Sequence, residues 1–284
     1  MHYKLCLMGS LIDHSKSPWI HDQFAKQLKL DVSYIKVKPD VDKFLIAVEE
    51  FRKDKGYGFN VTLPFKQEAF KLMTEVSPRA AIAKSVNTVL FRPERALYGD
   101  NTDGIGLVND ITQNLNYPLS KKTILIIGAG GAVRGVLHPL LSQFPAKIII
   151  VNRTFAHAQQ LVTEFKSYDN VVASHFDDLK NVKVDVVLDG TGFNSPLPVP
   201  ESLSLSENSL CYDLKYSDNP TSFMKWAKTK ASNIIVDGLG MLVAQAAEAF
   251  SLWTGQRPNT QSVIKLAKET FYNPSAAHKT VECK

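Results

Sequence analysis

Short apolar runs alternate with amphipathic segments through the first hundred residues. "YKLCLMG", "VSYIKVK" and "GFNVTL" concentrate aliphatic and aromatic residues over strand lengths. Between them, "SPWIHDQFAKQL", "VDKFLIAVEEFRK" and "FKQEAFKLM" repeat apolar positions at helical spacing. This alternation predicts an α/β layer with largely parallel strands. "SVNTVLFR" and "ALYGDN" then predict two strands around a turn. A second rhythm starts near residue 104. After "GIGLVNDITQNL" come a strand, a glycine-rich turn and a helix in "KTILIIGAGGAVRGVLHPLLSQF". The strand "KIIIVNRT", the helix "FAHAQQLVTEF" and strands in "VDVVLDGTG" and "SLCYDLKY" follow, and "GLGMLVAQAAEAFSLWTG" and "TQSVIKLAKETF" end the pattern as amphipathic helices. The expected fold class is α/β in two domains.

Composition agrees with a globular chain. Its 284 residues are 44% hydrophobic and 21% charged, enough for one large or two ordinary domains. No apolar run approaches the roughly 20 residues needed to cross a bilayer. The opening "MHYKLCLMGSLIDHSKS" is not expected to be a signal peptide, because Gly9 and Ser10 break its apolar run. Net charge is +5, from 33 basic and 28 acidic residues scattered without a block, which argues against nucleic acid and weakly favours small anions. Cys6, Cys211 and Cys283 lie far apart without metal-ligand spacing; two sit in apolar surroundings as expected buried thiols. No metal is expected, and the location expected is a reducing cytoplasm.

"ILIIGAGGAVRG" follows an apolar strand and opens a helix, the context that a dinucleotide-binding turn requires. Gly128 makes the tight turn, and Gly130 lets backbone N–H groups approach a pyrophosphate at the helix N-terminus. The next strand ends in Asn152-Arg153-Thr154, with no carboxylate for a ribose 2′-hydroxyl. Arg153 offers a planar fork for a 2′-phosphate and Thr154 a hydroxyl donor, so the cofactor expected is NADP.

In the first domain, "GFNVTLPFKQEAF" places Lys66 where a helix begins, with Thr62 as the expected N-cap and Pro64 in the first turn. A cation is disfavoured at that end of the helix dipole, which marks the amine as a candidate for proton transfer. "GSLIDHSKSPWIH" carries Ser15 and Ser17 at a loop-to-helix junction, where hydroxyls either cap the helix or donate to a carboxylate. "GDNTDGIG" holds Asp103 among turn residues, where Asx-turn chemistry is the usual reason for an aspartate.

Taken together, "HSKSPWIH", "NVTLPFK", "SVNTV", "GDNTDGIG", "GAGGAVRG", "NRT" and "DGLGMLVAQAAEAF" resemble the shikimate dehydrogenases, in order and over nearly the whole chain. The resemblance implies NADPH-dependent reduction of 3-dehydroshikimate to shikimate in aromatic amino-acid biosynthesis. It implies a substrate domain over residues 1–103, a Rossmann domain over 104–237, and helices over 238–284 that return to the first, with the active site in the cleft between. By position, Ser15 and Ser17 would hold the substrate carboxylate. Thr62, Asn87, Asp103 and Gln245 would bond the ring hydroxyls and carbonyl, with Tyr216 nearby, and Lys66 paired with Asp103 would move the proton. Small neighbours of Gln245 (Ala244, Ala246 and Ala247) predict a close-packed helix that spares the amide for a ligand. The cofactor set becomes Gly128, Ala129, Gly130, Gly131, Ala132, Asn152, Arg153, Thr154, His157, Leu214 and Gly238. The family includes monomers and homodimers.

Three departures from the family pattern stand out. His157 occupies a position where a second arginine is common, which is expected to weaken the 2′-phosphate clamp and make it pH-sensitive, since only protonated imidazole is cationic. Lys84-Ser85 replaces Gly-Ala, adding bulk and charge near Asn87. Asp189-Gly190-Thr191-Gly192 replaces Asn-Ala-Thr-Ser beside the expected nicotinamide position, so its carboxylate either favours the oxidised ring or points away. The rival readings are a dual quinate/shikimate dehydrogenase using NAD, which Arg153 opposes, and a non-catalytic metabolite sensor, which the presence of Lys66 and Asp103 opposes.

Overall fold

The computed structural model describes residues 1–191 and 198–272. Gly192, Cys283 and the tail "NPSAAHKTVECK" lie outside the described residues. The chain forms two compact units, Met1–Asn109 with Leu242–Lys284, and Asp110–Met241.

The first unit opens with β1 (His2–Met8), α1 (Ser17–Leu28), β2 (Asp31–Val37), α2 (Phe44–Lys53) and β3 (Gly58–Val61). It continues with α3 (Lys66–Leu72), β4 (Glu75–Val76), α4 (Pro78–Ala83), β5 (Thr88–Phe91), β6 (Leu97–Asp100) and α5 (Asp103–Asn109). The sheet order is β2-β1-β3-β5-β6-β4. β1 runs parallel to β2 and β3, and β4 parallel to β6, whereas β5 is antiparallel to both β3 and β6. The β5–β6 pair is antiparallel because the turn that joins the two strands is too short for a parallel crossover.

The second unit contains β7 (Thr123–Ile127), α6 (Gly131–Leu141), β8 (Lys147–Val151), α7 (Phe155–Glu164), β9 (Val171–Ser174), β10 (Lys183–Asp189), β11 (Ser204–Asp213), α8 (Ser222–Thr229) and β12 (Ile234–Val236). Its strands are all parallel, in the order β12-β11-β10-β7-β8-β9. The strands thus wind outward in two halves from β7 and β10, the Rossmann order, with its topological switch point between those two strands. Ile124, Ile126, Ile148, Ile150, Val186 and Leu188 are fully buried, as strands covered on both faces require.

The last helices are α9 (Leu239–Thr254) and α10 (Thr260–Tyr272). From Leu242 onward they belong to the first unit. Successive residues of β1 face opposite sides of its sheet. Cys6 and Met8 join Phe44, Val48, Phe59 and Phe65 in one core, while Leu5 meets Ala249 and Trp253 on the other side. Ile20 and Phe24 of α1 pack with Val243, Ala246, Ala247 and Phe250 of α9 and with Val263 and Ile264 of α10. Cys6 and Cys211 are buried thiols; burial raises both pKa values, that of Cys211 to about 11. No helix among the described residues is long and apolar enough to cross a membrane.

Candidate active site

Lys66 is the first residue of α3, and its N-cap is Phe65. Thr62 therefore does not cap this helix, contrary to the sequence expectation. Thr62 to Phe65 close a turn of their own, with Phe65 N–H donating to the Thr62 carbonyl at 3.0 Å and a cis Leu63–Pro64 bond inside it. The Thr62 side chain is left out of the helix end and partly exposed. Lys66 Nζ donates to Asp103 Oδ2 at 2.6 Å, and Asp103 opens α5. The lysine disfavoured by its own helix is thus held by a carboxylate that its helix favours. Both side chains keep some access, 25% for Lys66 and 15% for Asp103, so a solute can reach the pair.

The other Asp103 oxygen accepts from Asn87 Nδ2 at 2.8 Å. Asn87 Oδ1 accepts from Thr102 N–H at 2.9 Å, a donor that fixes which end of the amide faces Asp103. Gln245 joins the group through Oε1, which accepts from Thr102 Oγ1 at 3.3 Å and from Asn87 Nδ2 at 3.5 Å, while its own Nε2 donates to the Leu242 carbonyl at 2.8 Å. Gly106 brings α9 this close to α5, because a Cβ there would stand 2.6 Å from the Gln245 backbone nitrogen. Ala244, Ala246 and Ala247 are buried around it.

The Asx turn expected of Asp103 belongs instead to Asn101, whose Oδ1 accepts from Asp103 N–H at 3.2 Å. That leaves the Asp103 carboxylate to Asn87 and Lys66. Asn101 is held in turn by Ser85, with its Nδ2 2.9 Å from Ser85 Oγ. The Lys84-Ser85 departure therefore does not crowd Asn87. Lys84 is exposed at the left-handed C-cap of α4, and Ser85 supports the loop that carries Asp103. Thr102 and Thr88 escape a reading by motif; each is a fully buried hydroxyl in a short polar-apolar run, and a buried hydroxyl needs a partner.

At α1 the N-cap is Lys16 and no side chain caps the helix. Ser15 Oγ lies 3.2 Å from Ser17 Oγ and accepts from Ser17 N–H at 3.3 Å. The two hydroxyls thus form a pair at a helix N-terminus whose side-chain cap is not otherwise filled.

In the second unit, Gly128 turns the chain after β7 with a φ of +110°, and Gly190 follows β10 beside it. This is the switch point of the sheet. A Cβ built on Gly130 or Gly131 would meet nothing within 4 Å, so the backbone of these two glycines, flanked by Ala129 and Ala132, borders open space at the N-terminus of α6, while Gly128 is packed against Gly190 and Thr191. Such a cradle suits a pyrophosphate. Asn152 Nδ2 donates to the Thr154 carbonyl at 2.8 Å, and Arg153, Thr154 and His157 are exposed around the N-terminus of α7. Leu214 and Gly238 meet: a Cβ on Gly238 would stand 2.3 Å from the Leu214 carbonyl oxygen. Tyr216 lies in this unit, partly buried, and burial raises its pKa. Asp189 is 1% exposed; its Oδ1 accepts from Thr191 N–H at 3.0 Å and Thr191 Oγ1 at 2.6 Å, and burial raises its pKa. One oxygen of this carboxylate thus serves its own turn.

Residues 7–89 match the family described as shikimate dehydrogenase substrate binding domain, 110–209 shikimate / quinate 5-dehydrogenase, and 238–268 the shikimate 5'-dehydrogenase C-terminal domain. The shikimate dehydrogenase (NADP(+)) of Vesicomyosocius okutanii subsp. Calyptogena okutanii (strain HA) is 43% identical over 263 residues, covering 92% of this chain and 98% of its own. The chain belongs to the shikimate dehydrogenase family. Among solved structures, the Ael1 enzyme from Pseudomonas putida superposes with a TM-score of 0.88 at 37% identity, over 93% of this chain and 97% of that one. The shikimate 5-dehydrogenase of Thermus thermophilus, solved with NADP(H) and shikimate, gives 0.83 at 31% identity over 94% and 99%. Against this shikimate dehydrogenase background, the three departures leave the bonds joining Lys66, Asp103, Asn87 and Gln245 in place.

Proposed function

We propose that this chain catalyses the reversible NADPH-dependent reduction of 3-dehydroshikimate to shikimate, a step toward chorismate and the aromatic amino acids. The observation that carries the reading is the Lys66–Asp103 pair at 2.6 Å, accessible and backed by Asn87. Oxidising the alcohol requires its hydroxyl proton to leave as the C–H bond breaks, and reducing the ketone requires that proton back. Lys66 Nζ takes and returns it. Asp103 holds the amine and accepts from a neighbouring ring hydroxyl, while Asn87, Thr62 and Gln245 orient the remaining ring oxygens, and Tyr216 is a further substrate-binding residue. Ser15 and Ser17 donate to the substrate carboxylate, helped by the positive end of α1.

NADP, when bound, supplies the hydride acceptor and donor. The turn Gly128–Ala132, open at Gly130 and Gly131, would receive its pyrophosphate, Arg153 and Thr154 its 2′-phosphate with His157 beside them, and Leu214 and Gly238 would border the nicotinamide. The two described thiols are free, which suits a cytoplasmic enzyme.

The test is a spectrophotometric assay of the purified chain offering shikimate and quinate, each with NADP and with NAD. Rapid turnover is expected for shikimate with NADP and little for the other three combinations. Equal turnover of quinate, or none of shikimate, contradicts the reading.

A further inference from the structure

Behind the Lys66–Asp103 pair, a series of side chains reaches Asn87 from Tyr34, Asn60 and Thr88, three residues that the reaction as described leaves unused. Tyr34 on β2 donates its hydroxyl to Asn60 Oδ1 at 2.7 Å. The other end of that amide, Nδ2, donates to the Asn87 carbonyl and to Thr88 Oγ1, each at 3.1 Å. With a donor already on its oxygen, the Thr88 hydroxyl turns its proton to Asn87 Oδ1 at 2.8 Å. Asn87 can then present only N–H toward Asp103. The donors thus run in one direction from Tyr34 to the carboxylate that holds Lys66, and Thr102 N–H and the Asn87 carbonyl hold the two amides in the same sense. Asn60, Thr88 and Asn87 are 6%, 0% and 3% exposed, so water does not compete for these bonds.

The register of the sheet builds the series: Asn60 pairs with Thr88 across β3 and β5, and Leu5 of β1 pairs with Tyr34. Burial keeps the phenol protonated, and therefore a donor. The Tyr34 ring is held flat against His21, with centroids 4.2 Å apart and planes 11° apart. His21 is fully buried, and burial lowers its pKa to about 3, so the wall is a neutral imidazole; Asn60 opposes that shift without meeting hydrogen-bond geometry.

We propose that Tyr34 is a positioning residue for the proton-transfer pair, acting on Asp103 and Lys66 through Asn60, Thr88 and Asn87. The inference rests on the roles given above to Lys66 and Asn87. Tyr34→Phe keeps the ring and its stack on His21 and deletes only the donor, leaving Asn60 Oδ1 buried without a partner.

The test is steady-state shikimate oxidation with NADP by the full chain, for Tyr34→Phe, Asn87→Ala and the double variant, with thermal midpoints alongside. Tyr34→Phe is expected to lower kcat about tenfold, with the NADP KM unchanged and the shikimate KM moving less than about threefold, because geometry rather than binding is lost. In the Asn87→Ala background the same substitution is expected to change kcat less than about twofold, since the link is already cut. A purely structural tyrosine would lose the same factor in both backgrounds. That result, or an undiminished kcat in Tyr34→Phe, overturns the proposal. Absence of turnover by the unsubstituted chain would overturn the functional reading itself and this proposal with it, and is told apart because it needs no variant.

Discussion

At the first position of α3, Lys66 faces a helix end that repels it, while Asp103 at the first position of α5 faces one that attracts it. The pair joins the two, and the neighbouring amides decide its orientation. The sequence points to the lysine through its misplaced charge, but suggests for Asp103 the turn role that Asn101 fills. Both are short polar residues in one loop, and only the folded backbone shows which accepts from which N–H. Thr62 reads as a cap for a similar reason: its turn closes before α3 begins. In the second unit, His157 stands exposed in the first turn of α7 near Arg153. His157→Arg adds a permanent planar cation there. It is expected to raise the NADP-over-NAD preference in kcat/KM by about threefold to tenfold, measured with shikimate held constant. An unchanged preference would remove His157 from the 2′-phosphate site.

The loop that carries Asp103 depends on how α4 meets β6. Ser77 caps α4, accepting from Ala80 N–H at 3.1 Å, and also donates to Asp100 at the end of β6. Arg79 on α4 grips both oxygens of Asp100, with Nε 2.7 Å from Oδ1. Burial acts to raise the Asp100 pKa, but Arg79, Ser77 and the Asn101 N–H outweigh it and hold it below the ordinary value. A depressed folded-state pKa contributes stability above the unfolded value of about 4, lost as pH falls through the folded one. Arg79→Met leaves a buried carboxylate without its cation and is expected to cost about 3–5 kcal/mol at neutral pH. With the main lowering influence gone, burial raises the Asp100 pKa, so the variant gains relative to the parent on acidification. Thermal midpoints at pH about 7 and about 3.5 should show the deficit shrinking at the lower pH. A deficit equal at both would mean that Asp100 is not the group responsible.

Over the whole molecule, what is legible in the sequence is local. A strand, glycine turn and helix are contiguous in "ILIIGAGGAVRG", so β7, Gly128 and α6 can be read without knowing the fold. β4, with two residues, and β12, with three, are too short to show a period, and α4 is barely longer. Tyr34, Asn60 and Thr88 escape because their meaning lies in cross-strand register, which no spacing along the chain encodes. The recurring motifs give the first contact layer around the reacting atoms; the polar residues that orient it emerge only when β2, β1, β3 and β5 are laid side by side.

The proposed chemistry turns on the Lys66 amine moving the proton. The most direct measurement compares kcat for shikimate oxidation with the shikimate dissociation constant, by calorimetry, for the parent and Lys66→Ala. Lys66→Ala is expected to lower kcat by about 10²- to 10⁴-fold with binding changed less than about fivefold, the mark of a group acting chiefly in the transition state. A Lys66→Ala enzyme that keeps its kcat, or one that loses binding and kcat in equal measure, would contradict it.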